Sequence, residues 1–229
     1  MKGPVGMLLC ALLVAALSGW RTESGATERG VCLVCQVMSG KAEAEPIRAV
    51  RTHQGKPYGF CSEKCAKAFE ADPAAYAPPV FPRPAPSFEL RDLTGSAVSS
   101  ETVRGKVVLV DFWATWCAPC RKSMPALQAL HDRFASRGFV VLGISIDEGD
   151  PARVRKYVTS KKLTYPIAVD SGRTPAWEAF RVKAVPAAYL LDRDGRIVAQ
   201  WNGSAVDARD LEARLEELLT ATGTPGATG

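Results

Sequence analysis

The stretch Trp113-Ala114-Thr115-Trp116-Cys117-Ala118-Pro119-Cys120 constrains this chain more than any other. Residues 107–112 ahead of it are apolar, strand-length and rich in β-branched side chains. Behind it, Met124, Leu127, Leu130 and Phe134 recur at helical spacing. Two cysteines three positions apart thus sit where a buried strand gives way to a helix, and a C-x-x-C at such a junction reads as a redox pair. A helix start carries unpaired N–H groups and a partial positive charge, both of which favour a thiolate over a thiol. Sites of this kind draw a cysteine pKa from about 8.5 to roughly 3.5–7.5. Cys117 is then the nucleophile that attacks a substrate disulfide, and Cys120, one turn further on the same side, resolves the mixed disulfide. Pro119 removes a backbone donor beside the pair. The plainer readings are a structural disulfide or half of a zinc site. The zinc site needs a second ligand pair, and the only histidines are His53 and His131. Aromatic residues on both sides favour a docking surface, with Trp116 as its exposed ring and Phe112 and Trp113 as packing.

A length of 229 residues suits one domain of about 100–150 residues and a smaller companion. The formal charge of +5 comes from both signs mixed along the chain. With no dense basic stripe, helix-turn-helix or phosphate-cradling glycine loop, nucleic acid is excluded as a partner. Residues 1–19 read as a secretory leader: Lys2 is the early charge, Met7 to Leu17 is apolar, and Ala16-Leu17-Ser18 is the exit. That run is short of the roughly 20 residues a membrane span needs. The expectation is a soluble, periplasmic or otherwise exported protein, membrane-tethered if the leader is retained. Cys10 falls inside the leader, and the other six cysteines form three close pairs, each a potential disulfide in an oxidising compartment.

After a polar tether over residues 20–30, residues 31–76 make a compact module. It opens on Cys32 and Cys35. Residues 47–51 alternate like a strand, His53-Gln54-Gly55-Lys56 marks a turn, and residues 57–60 return as a second strand. Ser62 caps a helix that carries Cys65, Ala68 and Phe69 on one face. Five prolines in residues 77–86 make a stiff extended linker, and residues 87–220 form the second domain. There, residues 139–146 read as a buried strand. Asp150-Pro151 opens a helix to about Lys161, a short strand spans 167–169, and Thr174-Pro175 starts a helix reaching Phe180. Residues 187–191 and 197–201 flank the hairpin turn Asp192–Gly195, and Asp207 caps a last helix with Leu211, Leu215, Leu218 and Leu219 inward. Pro125 interrupts the ladder of the active-site helix. Strands alternating with helices give an α/β sandwich with a hairpin at one side. Residues 221–229 are a disordered tail by composition.

The run 110–114 through Cys120, with Pro125 five positions beyond, resembles thioredoxin, and residues 85–219 resemble the TlpA/ResA-type periplasmic thiol–disulfide oxidoreductases. The resemblance implies a thioredoxin-like sandwich, a mixed sheet flanked by helices with a strand and helix inserted in its middle. Asp111 is an acid in an apolar strand, and an unpaired buried carboxylate is pushed towards protonation; an edge or solvent-facing position is the plainer reading. It matches the buried acid of thioredoxin, which handles the proton of Cys120. The resemblance further implies a cis bond at Val185-Pro186, with Pro186 facing the cysteines and Val185 offering backbone hydrogen bonds to the client beside Trp116, Ala118 and Pro119. Two positions depart from the family. Ser123 stands where many members have an acid, and Gly143 where thioredoxin has lysine, which leaves proton handling to Asp111 alone.

Residues 55–76, with Cys61 and Cys65, resemble the YHS/TRASH-type metal-binding modules, although Gly59 replaces a histidine of many members. Cys32, Cys35, Cys61 and Cys65 suit a tetrahedral thiolate site for zinc or a softer one for Cu(I). Two disulfides would staple so small a core equally well, and a redox relay is a third reading. Three functions follow. The first is an exported oxidoreductase reducing client disulfides, as in cytochrome c maturation or metal-site thiols, fed by a membrane thiol-electron donor; its dithiol needs no cofactor. The second is a metal sensor or copper chaperone. The third, a peroxidase, expects Thr three positions before the attacking cysteine, whereas Thr115 is two before Cys117.

Overall fold

The computed structural model describes residues 28–170, 174–203 and 206–220. The leader, Cys10 and the tail after residue 220 lie outside these. The cysteine module holds β1 (Arg29–Val31), α1 (Leu33–Ser39), β2 (Ala44–Pro46), β3 (Ala49–His53), β4 (Lys56–Phe60), α2 (Glu63–Ala71) and α3 (Pro73–Tyr76). The β3–β4 hairpin turns at Gln54-Gly55, both at positive φ, and Ser62 caps α2 by accepting from the Cys65 N–H at 3.3 Å. Cys32, Val34, Ala49, Phe60, Ala66 and Phe69 form its small core. The β1–β2 ladder and α1 directly after Cys32 were not foreseen, since three-residue strands and one two-turn helix leave no periodic signature.

The chain then enters β5 (Arg83–Pro84), the hairpin β6 (Glu89–Arg91) and β7 (Ala97–Ser99), and β8 (Val107–Trp113). There follow α4 (Ala118–Phe134), β9 (Phe139–Ser145), α5 (Ala152–Ser160), β10 (Ile167–Val169), α6 (Ala176–Ala179), β11 (Ala187–Leu191), β12 (Arg196–Asn202) and α7 (Ala208–Thr220). The sheet order is β10-β9-β8-β11-β12-β5, parallel across β10, β9 and β8 and antiparallel beyond. All seven residues of β8 are buried, which is what a continuous apolar run at the centre of a two-faced sheet requires. The α5–β10 pair supplies the inserted helix and strand. The proline-rich linker does more than span: Arg83 and Pro84 pair with Ile197 and Arg196, at an edge where proline removes no needed donor. Thr174-Pro175 does precede α6, but the cap is Asp170, which accepts from the N–H groups of Ala176 and Trp177.

One face of the sheet is covered by α4, α5 and α7, the other by α6 and the β6–β7 hairpin. Met124, Leu127, Leu130 and Phe134 all turn inward from α4, as their spacing requires, and the helix runs on through Pro125. Cys117 and Cys120 belong to this first face.

Candidate active site and thiolate cluster

Strand β8 ends at Trp113 and the chain turns through Ala114-Thr115-Trp116 into α4, whose N-cap is Cys117. Asp147, just after β9, secures this turn. Its carboxylate accepts from the Thr115 N–H (2.7 Å), the Thr115 hydroxyl (2.5 Å) and the Ser145 hydroxyl (2.8 Å). All three residues are buried, so the bonds are shielded from water and hold the loop in one place. Sequence reading missed this brace, because its acid lies 32 residues from the hydroxyl it holds.

Cys117 and Cys120 are joined by a disulfide with Cα atoms 5.3 Å apart. Cys117 Sγ also accepts from the Cys120 N–H at 3.3 Å, so this sulfur sits on the helix's free donors. Cys117 is 4% exposed and Cys120 1%, which makes Cys117 the accessible member. Around it Trp116 (59% exposed), Ala118 and Pro119 face outward, whereas Trp113 and Phe112 are fully packed. Trp116, Asp147, Trp177, Lys183 and Val185 line a groove of about 450 Å³. Val185-Pro186 is cis. Ala187 pairs with Phe112, so Pro186 lies one step beyond, level with the turn into Cys117.

Asp111 lies mid-strand between Gly143 of β9 and Ala188 of β11, on the face it shares with Leu109, Trp113 and Cys120. It is 2% exposed, its Oδ2 has no protein partner, and burial pushes its pKa up to about 7. The edge position is thereby overturned. Where thioredoxin has lysine, a Cβ on Gly143 would stand 3.2 Å from the Tyr165 ring and 3.3 Å from Trp113 Nε1. Tyr165 fills the space a lysine would need, so no cation stands beside the acid at this position. Ser123 donates to the Cys120 carbonyl at 2.9 Å and offers no acid.

In the module, Cys32 caps α1, Cys35 lies one turn on, Cys61 follows β4 and Cys65 lies in α2. Their four sulfurs are all within 4.8 Å of one another, with Cys35–Cys61 at 3.5 Å, Cys61–Cys65 at 3.7 Å and Cys35–Cys65 at 3.9 Å. A tetrahedron with metal–sulfur bonds of about 2.3 Å has edges of about 3.8 Å. The Cys35, Cys61 and Cys65 sulfurs are at that spacing and Cys32 lies within 4.8 Å of them, so the donor set suits a thiophilic d10 cation. Burial and then the neighbouring sulfurs raise Cys35 well above the ordinary thiol range, and burial chiefly pushes Cys61 up to about 11. Burial opposes ionisation of Cys32 too, but the N–H groups of Cys61 and Cys35 outweigh it and lower that thiol. A side chain at Gly59 would stand 2.9 Å from Ile47, so Ile47 occupies the space a histidine would take.

This is a thioredoxin-like dithiol site on a mixed sheet. The AhpC/TSA family model matches residues 82–200, just over half of the chain, and a YHS domain model matches residues 51–80. The thiol-disulfide oxidoreductase ResA of Bacillus anthracis is 33% identical over 134 residues, 58% of this chain and 76% of that protein. The thioredoxin-like protein YneN of Bacillus subtilis is 32% identical over 133 residues, 58% and 76% of the two chains. Among solved structures, a thioredoxin-family thiol:disulfide interchange protein from Chlorobium tepidum TLS superposes with a TM-score of 0.55 at 28% identity, covering 62% of this chain and 99% of that one. One from a Bacteroides species gives 0.54 at 27%, covering 63% and 93%. The chain belongs to the AhpC/TSA family, within its ResA-type members, and is a thiol–disulfide oxidoreductase with a YHS domain at its amino-terminal side. At the position of the peroxidase threonine stands Ala114, and the Thr115 hydroxyl is committed to Asp147.

Proposed function

We propose that the protein is an exported reductant of client disulfides, with Cys117 as nucleophile, Cys120 as resolving thiol and Asp111 as proton acceptor. The observation that carries this reading is the Cys117–Cys120 disulfide at the start of α4, beside an exposed Trp116 and an open groove. In the reduced protein the Cys117 thiolate attacks one sulfur of the client bond, forming a mixed disulfide and releasing the other client sulfur as a thiolate that takes up a proton. Cys120 then passes its proton to ionised Asp111 and attacks Cys117 Sγ, which frees the second client thiolate and leaves Cys117–Cys120 oxidised. Two electrons have moved to the client. A membrane thiol donor returns them. Export is supported by the leader-like residues 1–19, and clients such as apocytochrome c or metal-site thiols by the ResA resemblance. The four module sulfurs support zinc or Cu(I) held by Cys32, Cys35, Cys61 and Cys65, where the metal would staple a small core. The metal-chaperone reading, which predicts stoichiometric metal with little disulfide turnover, is not favoured by the thiol–disulfide oxidoreductase relatives.

The test is reduction of insulin by the dithiol form, together with the potential of the Cys117/Cys120 couple against glutathione. A potential near that of thioredoxin, about −270 mV, fits a reductant. One near −120 mV, in the range of strong oxidants, would reverse the proposed direction.

A further inference from the structure

We infer that the cysteine module positions the client-binding loop of the dithiol domain, with Asp72 as the positioning residue. This rests on the proposed client pairing at Val185. Residues 181–186 connect α6 to β11 and carry Lys183 and Val185 into the groove beside Trp116. The loop begins with the N–H groups of Arg181 and Val182 bonded back to Glu178 and Trp177. Arg181 sits at φ 56°, a conformation unfavourable for a residue with a Cβ, and its side chain reaches out of the loop to the module.

Two contacts lead to the module. Asp72, where α2 ends and α3 begins, accepts from Arg181 Nη1 at 2.5 Å and faces Lys183 Nζ at 3.0 Å. Burial opposes the charge on Asp72, but Lys183 and then Arg181 outweigh it and hold the carboxyl below its ordinary range. At the loop's far end the Pro186 carbonyl accepts from the Gly203 N–H at 2.9 Å. Gly203, at φ 70°, is pressed on the end of α1, where a Cβ would stand 2.3 Å from the Val37 carbonyl oxygen. Only glycine fits there. Helix α1 carries Cys35 and meets Gly203, and α2 carries Cys65 and ends at Asp72, so both lines of contact from the loop lead to helices that carry module sulfurs.

The bland account is that Asp72 merely joins two domains. Arg181 is 56% exposed, and ion pairs of that kind stabilise little. A positioning role differs in what it moves. In the full chain, Asp72→Asn should raise KM for insulin about three- to tenfold while kcat stays at the wild-type value. The rate with hydroxyethyl disulfide, which is too small to pair with the loop backbone, should not change. Amide exchange at residues 183–185 should accelerate by a similar factor with β8 unaffected, and Asp72→Glu should recover part of both changes. Gly203→Ala, which forces α1 away, should give the same pattern more strongly. Unchanged KM together with unchanged loop exchange in Asp72→Asn overturns the inference, and so does an equal loss on both substrates. Should the wild type leave insulin intact, the reductase reading fails by itself. Loop exchange in Asp72→Asn then decides the positioning role alone.

Discussion

Two C-x-x-C motifs in this chain begin in nearly the same way and end differently. Cys32 and Cys117 are both helix N-caps, at φ −77°, ψ 110° and φ −80°, ψ 98°, and each offers its carbonyl to the residue four positions on. Yet Cys117 is bonded to Cys120, whereas Cys32 and Cys35 share a pocket with Cys61 and Cys65. The difference comes from what faces each helix start. Across from Cys117 stand the Val185-Pro186 turn and an open groove, and beneath it a buried acid. Across from Cys32 the β3–β4 hairpin and α2 deliver two more sulfurs. A pair of thiols alone can close on itself, while four within 4.8 Å of one another also have the donors a metal would need. Local backbone geometry makes a cysteine available; its neighbours across the fold set its use.

The largest test of that contrast is at Cys117. Cys117→Ser should reduce insulin turnover to background while leaving the metal content of the module unchanged. Cys120→Ala should accumulate client as a mixed disulfide, visible on non-reducing gels. Persistent turnover in Cys117→Ser would erase the distinction between the two motifs.

The module is tested next. Purified without chelator, the full chain should carry one zinc or copper per molecule by elemental analysis, and Cys61→Ser should lose it. Structural zinc in small peptides stabilises by about 10–16 kcal/mol. Removal should therefore abolish a separate thermal transition of the module and leave that of the dithiol domain. A mass reduced by four thiol hydrogens beyond the two lost at Cys117–Cys120, with no metal, would instead make the module a disulfide staple.

Asp111 gives a smaller, pH-dependent effect. Its folded pKa of about 7 exceeds the ordinary value of 3.8, so the folded state holds the proton more tightly than the unfolded chain. Stability from this group is intact below about pH 4 and falls as pH rises through about 7. Asp111→Asn should therefore be nearly neutral at pH 4 and stabilising by roughly 4 kcal/mol at pH 8, read from urea unfolding of the oxidised protein. The same change should slow the resolving step. Equal stability effects at both pH values would show that the carboxyl is not shielded.

The smallest effect belongs to the docking ring. Trp116→Ala should raise KM for a protein client severalfold, about 1 kcal/mol, with unfolding unchanged. No change in KM would separate the exposed aromatic from client binding.

Much of the dithiol domain was legible because its signals are long or local. The buried run of β8, the inward stripe of α4 and the turn Asp192–Gly195 each announce themselves within a dozen residues. What escaped was short or distant. The β1–β2 ladder and β5 are two or three residues long, and the links Thr115–Asp147 and Asp72–Lys183 join positions far apart in the chain. The substitution of lysine by Gly143 was visible as a letter, but not that Tyr165 would occupy the space.

By itself the sequence determined the dithiol pair, its place at a strand-to-helix turn, and the presence of an acid in an apolar strand. These follow from nearest neighbours and from periodicity. Only the tertiary structure decided that four module thiols lie within 4.8 Å of one another, and that Asp72 at the end of α2 meets Arg181 and Lys183 of the loop beside the dithiol. Such convergence depends on packing between segments tens of residues apart, and no local pattern in the chain encodes those distances.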